Sequence, residues 1–272
     1  MQAVVNGILI GGVYALISVG LTLIFGIMHV VNFAQAEFLM LGMFGAFVAW
    51  SIFGIDPIVS ALVVGVILFC LGALIERTLI VGLGIVLRNG AAVVFGNDFH
   101  SVQTAYQTRT IDIGSLSISV PYLLAFSFAA VSAVLLYLFL QRTKFGRAMR
   151  ATAQNRDAAI LLGISPRKNY MVAFGLGIGL TGLAGAVILP YTTVYPTAGT
   201  QYILIMFTVV VLGGLSSIYG AMISGLIVGM IQSVSTVFLP TELQNLVLFI
   251  IFFAALVLLR GGVLNRVRLR TN

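Results

Sequence analysis

Side chains that could do catalytic chemistry are few and dispersed in this sequence of 272 residues. A metal site or a nucleophilic centre needs clustered His, Cys, Asp or Glu, or a serine or cysteine beside a base. His29 and His100 have no second histidine at ligand spacing, and the single cysteine, Cys70, excludes an intramolecular disulfide or a cysteine cluster. The seven acids lie far apart, at Glu37, Asp56, Glu76, Asp98, Asp112, Asp157 and Glu242. We therefore expect a protein that is not an enzyme and whose chain binds no metal and no cofactor.

Glycine patterns do not indicate a nucleotide site either. Residues 177–182 match a G-x-G-x-x-G pattern, but that pattern needs a strand before it and an acid about 20 residues later. Here it lies in a run without charges, and the next acid is Glu242. A P-loop is missing from the sequence, since neither of the two lysines, Lys144 and Lys168, follows a glycine. The chain cannot bind ATP phosphates in that way by itself.

The scarcity of charged residues indicates which structural elements carry these side chains. Only 14 basic and 7 acidic residues occur, and 60% of the residues are hydrophobic, against roughly 45–50% in a soluble domain. Runs without a charged residue cover 1–36, 38–55, 57–75, 113–141 and 169–241. A bilayer core of about 30 Å needs roughly 20 apolar residues per helix, so the longest run must cross more than once. The sequence predicts an all-α, polytopic membrane protein and excludes secreted, nucleic-acid-binding and cytosolic-enzyme classes.

Basic residues are concentrated in two blocks. Residues 142–168 have a net charge of +6, and the tail carries Arg260, Arg266, Arg268 and Arg270. Because Lys and Arg near membrane segments mark the cytoplasmic side, both blocks are expected inside. The excess of positive charge is therefore an orientation signal.

Counting outward from these blocks predicts a bundle of eight or nine membrane segments within a single transmembrane domain, residues 1–272. The N-terminus has no basic region ahead of its apolar run, so we expect a membrane helix there instead of a secretory signal. The sequence does not decide on which side the N-terminus lies. The predicted segments are about 3–26, 33–53, 57–76, 79–96, 121–141, 170–190, 202–215, 220–239 and 243–259.

Two of the segments contain a charged residue inside their bounds and not at an end. The 79–96 segment has Arg88 at its centre, which costs about 2.5–3.5 kcal/mol unless the side chain faces protein or water. The 33–53 segment begins with polar residues and is a candidate broken or re-entrant helix. Its Glu37 is open to two interpretations, a capped helix start at the interface or a residue of a pathway or gate.

Small residues recur at helical spacing in the predicted segments. Gly7/Gly11, Gly175/Gly179 and Gly225/Gly229 are pairs that allow helix backbones to approach closely. We expect them to pack within the bundle, with contacts between subunits as the alternative.

The basic segment 142–168 is predicted to be helical from about 145 to 162. Its alanines and Leu162 form one face, and its charged residues form the other. Gly163 and Pro166 form a typical stop signal. Such a helix can lie on lipid or dock on a partner protein, and small alanines favour docking.

Four blocks of this sequence resemble branched-chain amino acid ABC transporter permeases. Residues 146–163 are similar to the cytoplasmic coupling loop of that family, and the other blocks are residues 12–26, 31–42 and 213–220. The resemblance covers nearly the whole chain. The sequence departs from the family in a short connection around residues 77–81 and in Gly261 following Arg260.

The resemblance implies a multi-pass permease of the bacterial cytoplasmic (inner) membrane that moves Leu, Ile or Val. It implies two cytoplasmic ATPase subunits that use ATP, a second permease subunit, like or unlike, and a periplasmic or extracellular solute-binding protein. Urea or short-chain amides are alternative solutes. An ion-coupled secondary transporter is a further alternative, in which Glu37 would change its charge.

The resemblance also indicates which residues have these roles. Contact with the ATPase is expected from the coupling loop, at Arg150, Asn155, Asp157, Ala158, Ala159 and Gly163. The polar groups that an amino-acid zwitterion needs along an apolar path are expected at Asn6, Asn32, Gln35 and Glu37.

Overall fold

A computed structural model describes residues 1–76, 82–114 and 116–260 of the chain. In these residues the fold is almost entirely helical, as predicted, with one β-hairpin that the sequence reading did not anticipate. The hairpin pairs β1 (Thr110–Ile113) with β2 (Leu116–Ser119). The helices are α1 (Gln2–Met28), α2 (Gln35–Phe53), α3 (Pro57–Ile75), α4 (Leu83–Phe95), α5 (Val120–Arg142), α6 (Lys144–Gln154), α7 (Arg156–Leu161), α8 (Pro166–Ile188), α9 (Thr200–Gly213), α10 (Ile218–Phe238) and α11 (Thr241–Arg260).

Six of the described helices are long and apolar enough to cross a membrane, namely α1, α2, α3, α5, α8 and α10. Shorter apolar helices are α4, α9 and the stretch Leu246–Val257 of α11. The protein is therefore a multi-pass membrane protein. Of the predicted 79–96 segment, residues 79–81 lie outside the described residues, and the rest forms the 13-residue α4. At about 1.5 Å per residue this helix spans about 20 Å, less than a bilayer core. The basic tail beyond Arg260 also lies outside the described residues.

The two ends of the bundle are fixed by contacts of α1. Near its start, Gln2 accepts a hydrogen bond from the backbone N–H of Ser117 in the hairpin, at 3.0 Å. Near its other end, Gly26 packs beside Ser216. A cavity of about 350 Å³ joins Gly26 and Ser216 to Arg150 of α6. The N-terminus and the hairpin thus share one end of the bundle, the hairpin end, and segment 142–168 occupies the other, the basic end.

Helix α8 is the centre of the bundle because its glycines accept three neighbours. Gly177 packs against Gly20 of α1, Gly179 against Gly65 of α3, and Gly182 against the backbone of α2 at Gly42. A methyl group added at Gly177 or Gly179 would clash with the backbone of α1 or α3, and one added at Gly42 would clash with the backbone of α8. The G-x-G-x-x-G pattern is therefore a packing feature of a membrane helix.

The predicted small-residue pairs also pack inside the described bundle. Gly7 and Gly11 of α1 face Gly229 and Gly225 of α10, and Gly175 of α8 faces Phe69 of α3. This confirms the expectation of internal packing. Without a hydrophobic driving force in lipid, such close approaches are a main source of helix association.

Connections at the hairpin end are tied down by hydrogen bonds. Asp56 caps α3 by accepting from Ile58 N at 2.9 Å, and it also accepts from the Tyr106 hydroxyl at 2.8 Å. Burial and this hydrogen bond raise the pKa of Tyr106 above its ordinary value, so the hydroxyl remains a donor. His100 and Val194 form an isolated β-bridge. The bridge attaches the loop after α4 to the chain after α8, and Tyr106 attaches the same loop to the start of α3.

Segment 142–168 is two helices, and the prediction of one helix from 145 to 162 is wrong. Asn155 has extended backbone angles (φ −154°, ψ 106°) and separates α6 from α7. Its side chain accepts from Ala158 N at 2.9 Å and caps α7. Asparagine is a strong N-cap residue, so a second helix starts here. The break also separates the predicted alanine face: Ala159 is buried, whereas Ala158 and Leu162 are exposed.

Candidate functional site

Polar side chains at the start of α2 form a buried cluster at mid-depth of the bundle. Gln35 donates to the Gly177 carbonyl at 3.1 Å and to the Thr181 hydroxyl, and it accepts from Asn32 at 3.0 Å. Gly177 is the middle residue of the 23-residue α8. The cluster therefore lies at the middle of a helix that is long and apolar enough to cross a membrane.

Three helices begin around this cluster. The first is α2 itself. The second is α4, because a methyl group added at Gly84 in its first turn would lie 3.4 Å from Glu37 Cγ. Gly199, which immediately precedes α9, packs against the backbone of Ala36 and Glu37. Helix N-termini carry unpaired N–H groups and a partial positive charge. In some secondary transporters, helices that start near mid-membrane bind solute with these groups.

Glu37 and Arg88 form an ion pair beside these helix starts. Arg88 Nε lies 3.7 Å from Glu37 Oε1. Glu37 is 4% exposed, and its second oxygen, Oε2, has no hydrogen-bond partner in the part of the chain that the structure describes. Sequence reasoning selected both residues but not their pairing, because they lie on different predicted segments.

The four predicted path residues do not form one group. Asn32, Gln35 and Glu37 are together in the cluster and are buried. Asn6 lies near the hairpin end of α1, next to Gly7, which packs on Met230 of α10. Between Asn6 and Gly20, which contacts α8 at the level of the cluster, α1 rises about 20 Å. Helix α2 itself is unbroken over Gln35–Phe53.

The predicted coupling residues lie on α6, α7 and the turn after them. Arg150 donates to the Leu140 carbonyl at the end of α5, and Ala159 is the buried residue of α7. Asp157, in the first turn of α7, is exposed. Gly163 has φ +75°, a conformation that favours glycine, and it ends α7 as predicted.

An apolar tip on α7 is a feature that sequence reasoning did not single out. Ile160, Leu161 and Leu162 are consecutive and exposed, with Leu161 88% and Leu162 77% accessible. The tip lies at the basic end, outside the helices that can cross the membrane. The available signal is the Ile-Leu-Leu run directly before Gly163, of which the prediction placed only Leu162 on the apolar helix face.

Helix α6, which leads into the tip, is attached firmly to the bundle. Thr143 caps α6 by accepting from Gly146 N at 2.9 Å, and Gly146 packs so closely on Leu140 that a methyl group would not fit. On the other side, Asn169 at the start of α8 donates to the Thr152 hydroxyl at 2.7 Å. These contacts attach α6, the helix directly before α7, to α5 and α8.

Comparison with known proteins decides the family. The family model described as branched-chain amino acid transport system / permease component matches residues 3–256. The chain belongs to this family. No solved structure matches the chain.

Curated members of this permease family align over most of their length. The high-affinity branched-chain amino acid transport system permease protein LivH of Salmonella typhimurium is 30% identical over 295 residues, covering 98% of this chain and 96% of the relative. BraD of Pseudomonas aeruginosa, a permease protein with the same description, is 27% identical, with the same coverage. A probable branched-chain amino acid transport permease protein LivH of Methanocaldococcus jannaschii is 26% identical over 87% of this chain and 81% of the relative. The alignment with the Salmonella protein is longer than the 272 residues of this permease, so that relative contains residues that this chain lacks.

Proposed function

We propose that this chain is the membrane permease subunit of an ATP-driven importer for branched-chain amino acids, in the cytoplasmic membrane. Two cytoplasmic ATPase subunits, a second permease subunit and an external solute-binding protein would complete the importer. ATP would bind to the ATPases, and this chain would move between states open to either side. Membership of the permease family carries this proposal. Urea or short amides remain alternative solutes.

The proposed topology has nine membrane segments, with the N-terminus outside and the C-terminus inside. It is supported by the antiparallel packing of α1 and α10 and by the contact of Gln2 with the hairpin at the end opposite segment 142–168. The N-terminus and the basic segment lie at opposite ends of the bundle. If the basic segment is inside, the N-terminus is outside and an odd number of crossings separates the two. In this topology α4 and α9 each cover part of the bilayer.

The apolar tip of α7 is the proposed contact with the ATPase. Exposed Ile160, Leu161 and Leu162 at a water-facing end favour burial against another protein. Asn155, Asp157 and Ala158 begin this short helix, Ala159 seats it on the bundle, and Gly163 redirects the chain into α8. Closure of the ATPases would move the tip, and Arg150 and Asn169 would carry that movement to α5 and α8.

The mid-depth cluster is the proposed polar part of the solute path. Its support is the convergence of three helix starts on buried Asn32, Gln35 and Glu37. Apolar side chains of Leu, Ile and Val need no polar partner, whereas the charged ends of a zwitterion do. Asn6 remains a proposed path residue nearer the hairpin end.

Reconstitution of the whole importer in vesicles tests this function. We expect ATP-dependent accumulation of radiolabelled leucine that requires the binding protein and stops with an inactive ATPase. Accumulation that continues with an inactive ATPase and stops in Glu37→Gln would support an ion-coupled transporter instead. Accumulation of urea or acetamide but not of leucine would change the solute and leave the importer function intact.

A further inference from the structure

Arg88 carries a positive charge near mid-depth of the bundle. Its guanidinium approaches Glu37. Glu37 lies half a helical turn after Gln35, which contacts Gly177 in the middle of α8. The Arg88 side chain is 37% exposed, while Glu37 is buried. A charged group at this depth is stable only where it faces protein or water. The open side of Arg88 therefore requires a polar environment.

The ion pair does not use the hydrogen-bonding capacity of either group. The 3.7 Å separation exceeds the roughly 2.7–2.9 Å of a charge-assisted hydrogen bond. Glu37 Oε2 is buried without a partner among the described residues. A guanidinium has five N–H donors arranged as a planar fork. Arg88 is thus oriented by Glu37 and still able to bind an anion.

The exposed surface of α4 combines apolar side chains with one polar patch; the apolar ones are Ile85, Val86, Val93 and Val94. On α5 the exposed side chains include Val131, Val134 and Leu135, all apolar. On α4 an exposed amide, Asn89, follows Arg88 directly. In the hydrocarbon region a polar group that faces lipid has no hydrogen-bond partner. Arg88 and Asn89 therefore form a polar patch on α4 that needs water or polar protein groups beside it.

We infer that Arg88 faces the solute path and binds the carboxylate of the transported solute, with Glu37 as the residue that positions it. A guanidinium fork matches a carboxylate through two parallel hydrogen bonds. This inference rests on the proposed importer function and selects among its solutes. It predicts an amino acid with a free carboxylate and disfavours urea or a neutral amide, which would leave the guanidinium without a counter-charge.

Leucine uptake by the reconstituted importer tests the role of Arg88. We expect Arg88→Gln to lower uptake at least about 10-fold, since charge-assisted contacts are among the strongest, with ATP hydrolysis still stimulated by the loaded binding protein. Arg88→Lys keeps the charge without the fork and should raise the apparent KM while retaining part of the rate. Arg109→Gln, the same change in an exposed residue at the hairpin end, should leave uptake unchanged. Normal leucine uptake by Arg88→Gln would overturn the inference.

A double variant separates carboxylate binding from simple neutralisation of Glu37. Arg88→Gln alone leaves the Glu37 carboxylate buried without its cation, which could impair folding. Glu37→Gln together with Arg88→Gln removes both charges and should fold, yet its leucine uptake should remain at least about 10-fold low because the carboxylate site is missing. Restored uptake in the double variant would show that Arg88 only balances Glu37 and would overturn the inference.

Thiol labelling tests the exposure of the α4 face independently of transport. In a Cys70→Ser background, Asn89→Cys should react with a membrane-impermeant, charged thiol reagent in the assembled importer. Val134→Cys on the lipid-suited face of α5 should react only with a lipid-soluble maleimide. Equal protection of both positions from the charged reagent would refute a water-containing path beside Arg88 and Asn89. A wild-type importer that carries neutral amides but not leucine would refute carboxylate binding and leave the importer function standing.

Discussion

The mid-depth cluster buries polar side chains, whereas the apolar tip of α7 exposes hydrophobic ones. In the cluster, polar Asn32, Gln35 and Glu37 are buried among membrane helices. At the tip, apolar Leu161 and Leu162 are exposed at the end of the bundle that carries the basic segment. Glu37 Oε2 is buried without a hydrogen-bond partner among the described residues, and apolar side chains exposed to water are unfavourable at the tip. The difference indicates which kind of partner each region lacks, polar groups in the cluster and an apolar protein surface at the tip.

The largest effect is expected where the cluster depends on close backbone contact. Gly42→Leu would force α2 away from α8 at Gly182, so we expect a loss of more than about 3 kcal/mol, since the clash is with backbone. Little folded protein should then be recovered in detergent. Gly90→Leu is the matched control, because a Cβ at Gly90 on α4 meets nothing within 4 Å. The comparison would fail if both variants had the same thermal stability.

The next effect tests the apolar tip. Leu161→Glu should leave the fold unchanged, because the side chain is exposed, and should lower ATP-dependent uptake at least about 10-fold, because a charge would be buried at the ATPase contact. Uptake in vesicles and size-exclusion profiles measure the two properties. Leu161→Met preserves the apolar surface and should transport normally. Normal uptake by Leu161→Glu would remove the tip from the coupling contact.

A smaller effect is expected from the hydrogen bonds of the cluster. Gln35→Leu removes the bonds to Gly177, Thr181 and Asn32, and polar contacts between membrane helices contribute about 0.6–2 kcal/mol. We expect thermal unfolding of the purified protein at lower temperature. Gln107→Leu, the same change at an exposed position at the hairpin end, should not alter it. An unchanged transition in Gln35→Leu would mean that the cluster does not stabilise the α2–α8 contact.

The smallest effect concerns the cap that separates α6 from α7. Asn155→Ala removes the acceptor for Ala158 N and should cost about 1 kcal/mol. Amides of residues 156–161 should exchange with deuterium several-fold faster while those of α8 remain unchanged. Asn155→Ser can still cap the helix and should exchange more slowly than the alanine variant. Equal exchange in the wild type and both variants would show that the break does not depend on this cap.

Much of the fold followed from the sequence. The runs without charge predicted the helices, and several predicted segments, such as 121–141 and 220–239, differ by only a few residues from α5 and α10. The Gly163 stop was also confirmed. The single helix over 145–162 was wrong because apolar periodicity alone did not weigh the capping tendency of Asn155 against continuation of the helix.

The candidate site was predictable only in part. Polar residues in apolar segments drew attention to Asn32, Gln35, Glu37 and Arg88, because such residues are costly in a membrane. Their roles as path residues stay predictions. The ion pair, the contact of Gln35 with Gly177 and the meeting of α2, α4 and α9 could not be deduced, since nothing in a local pattern reports the relative depth of distant helices.

The sequence by itself determined the membrane class, most helices and the family resemblance, because hydropathy and charge act on each segment separately. The tertiary structure alone decided that the N-terminus lies opposite segment 142–168, and that the start of α2 lies level with the middle of α8. Those relations depend on which glycines meet across helices, as Gly11 meets Gly229 and Gly42 meets Gly182. An apolar side chain is about as stable against lipid as against another helix. Close fit between helix backbones, and not hydrophobicity, therefore selects one arrangement.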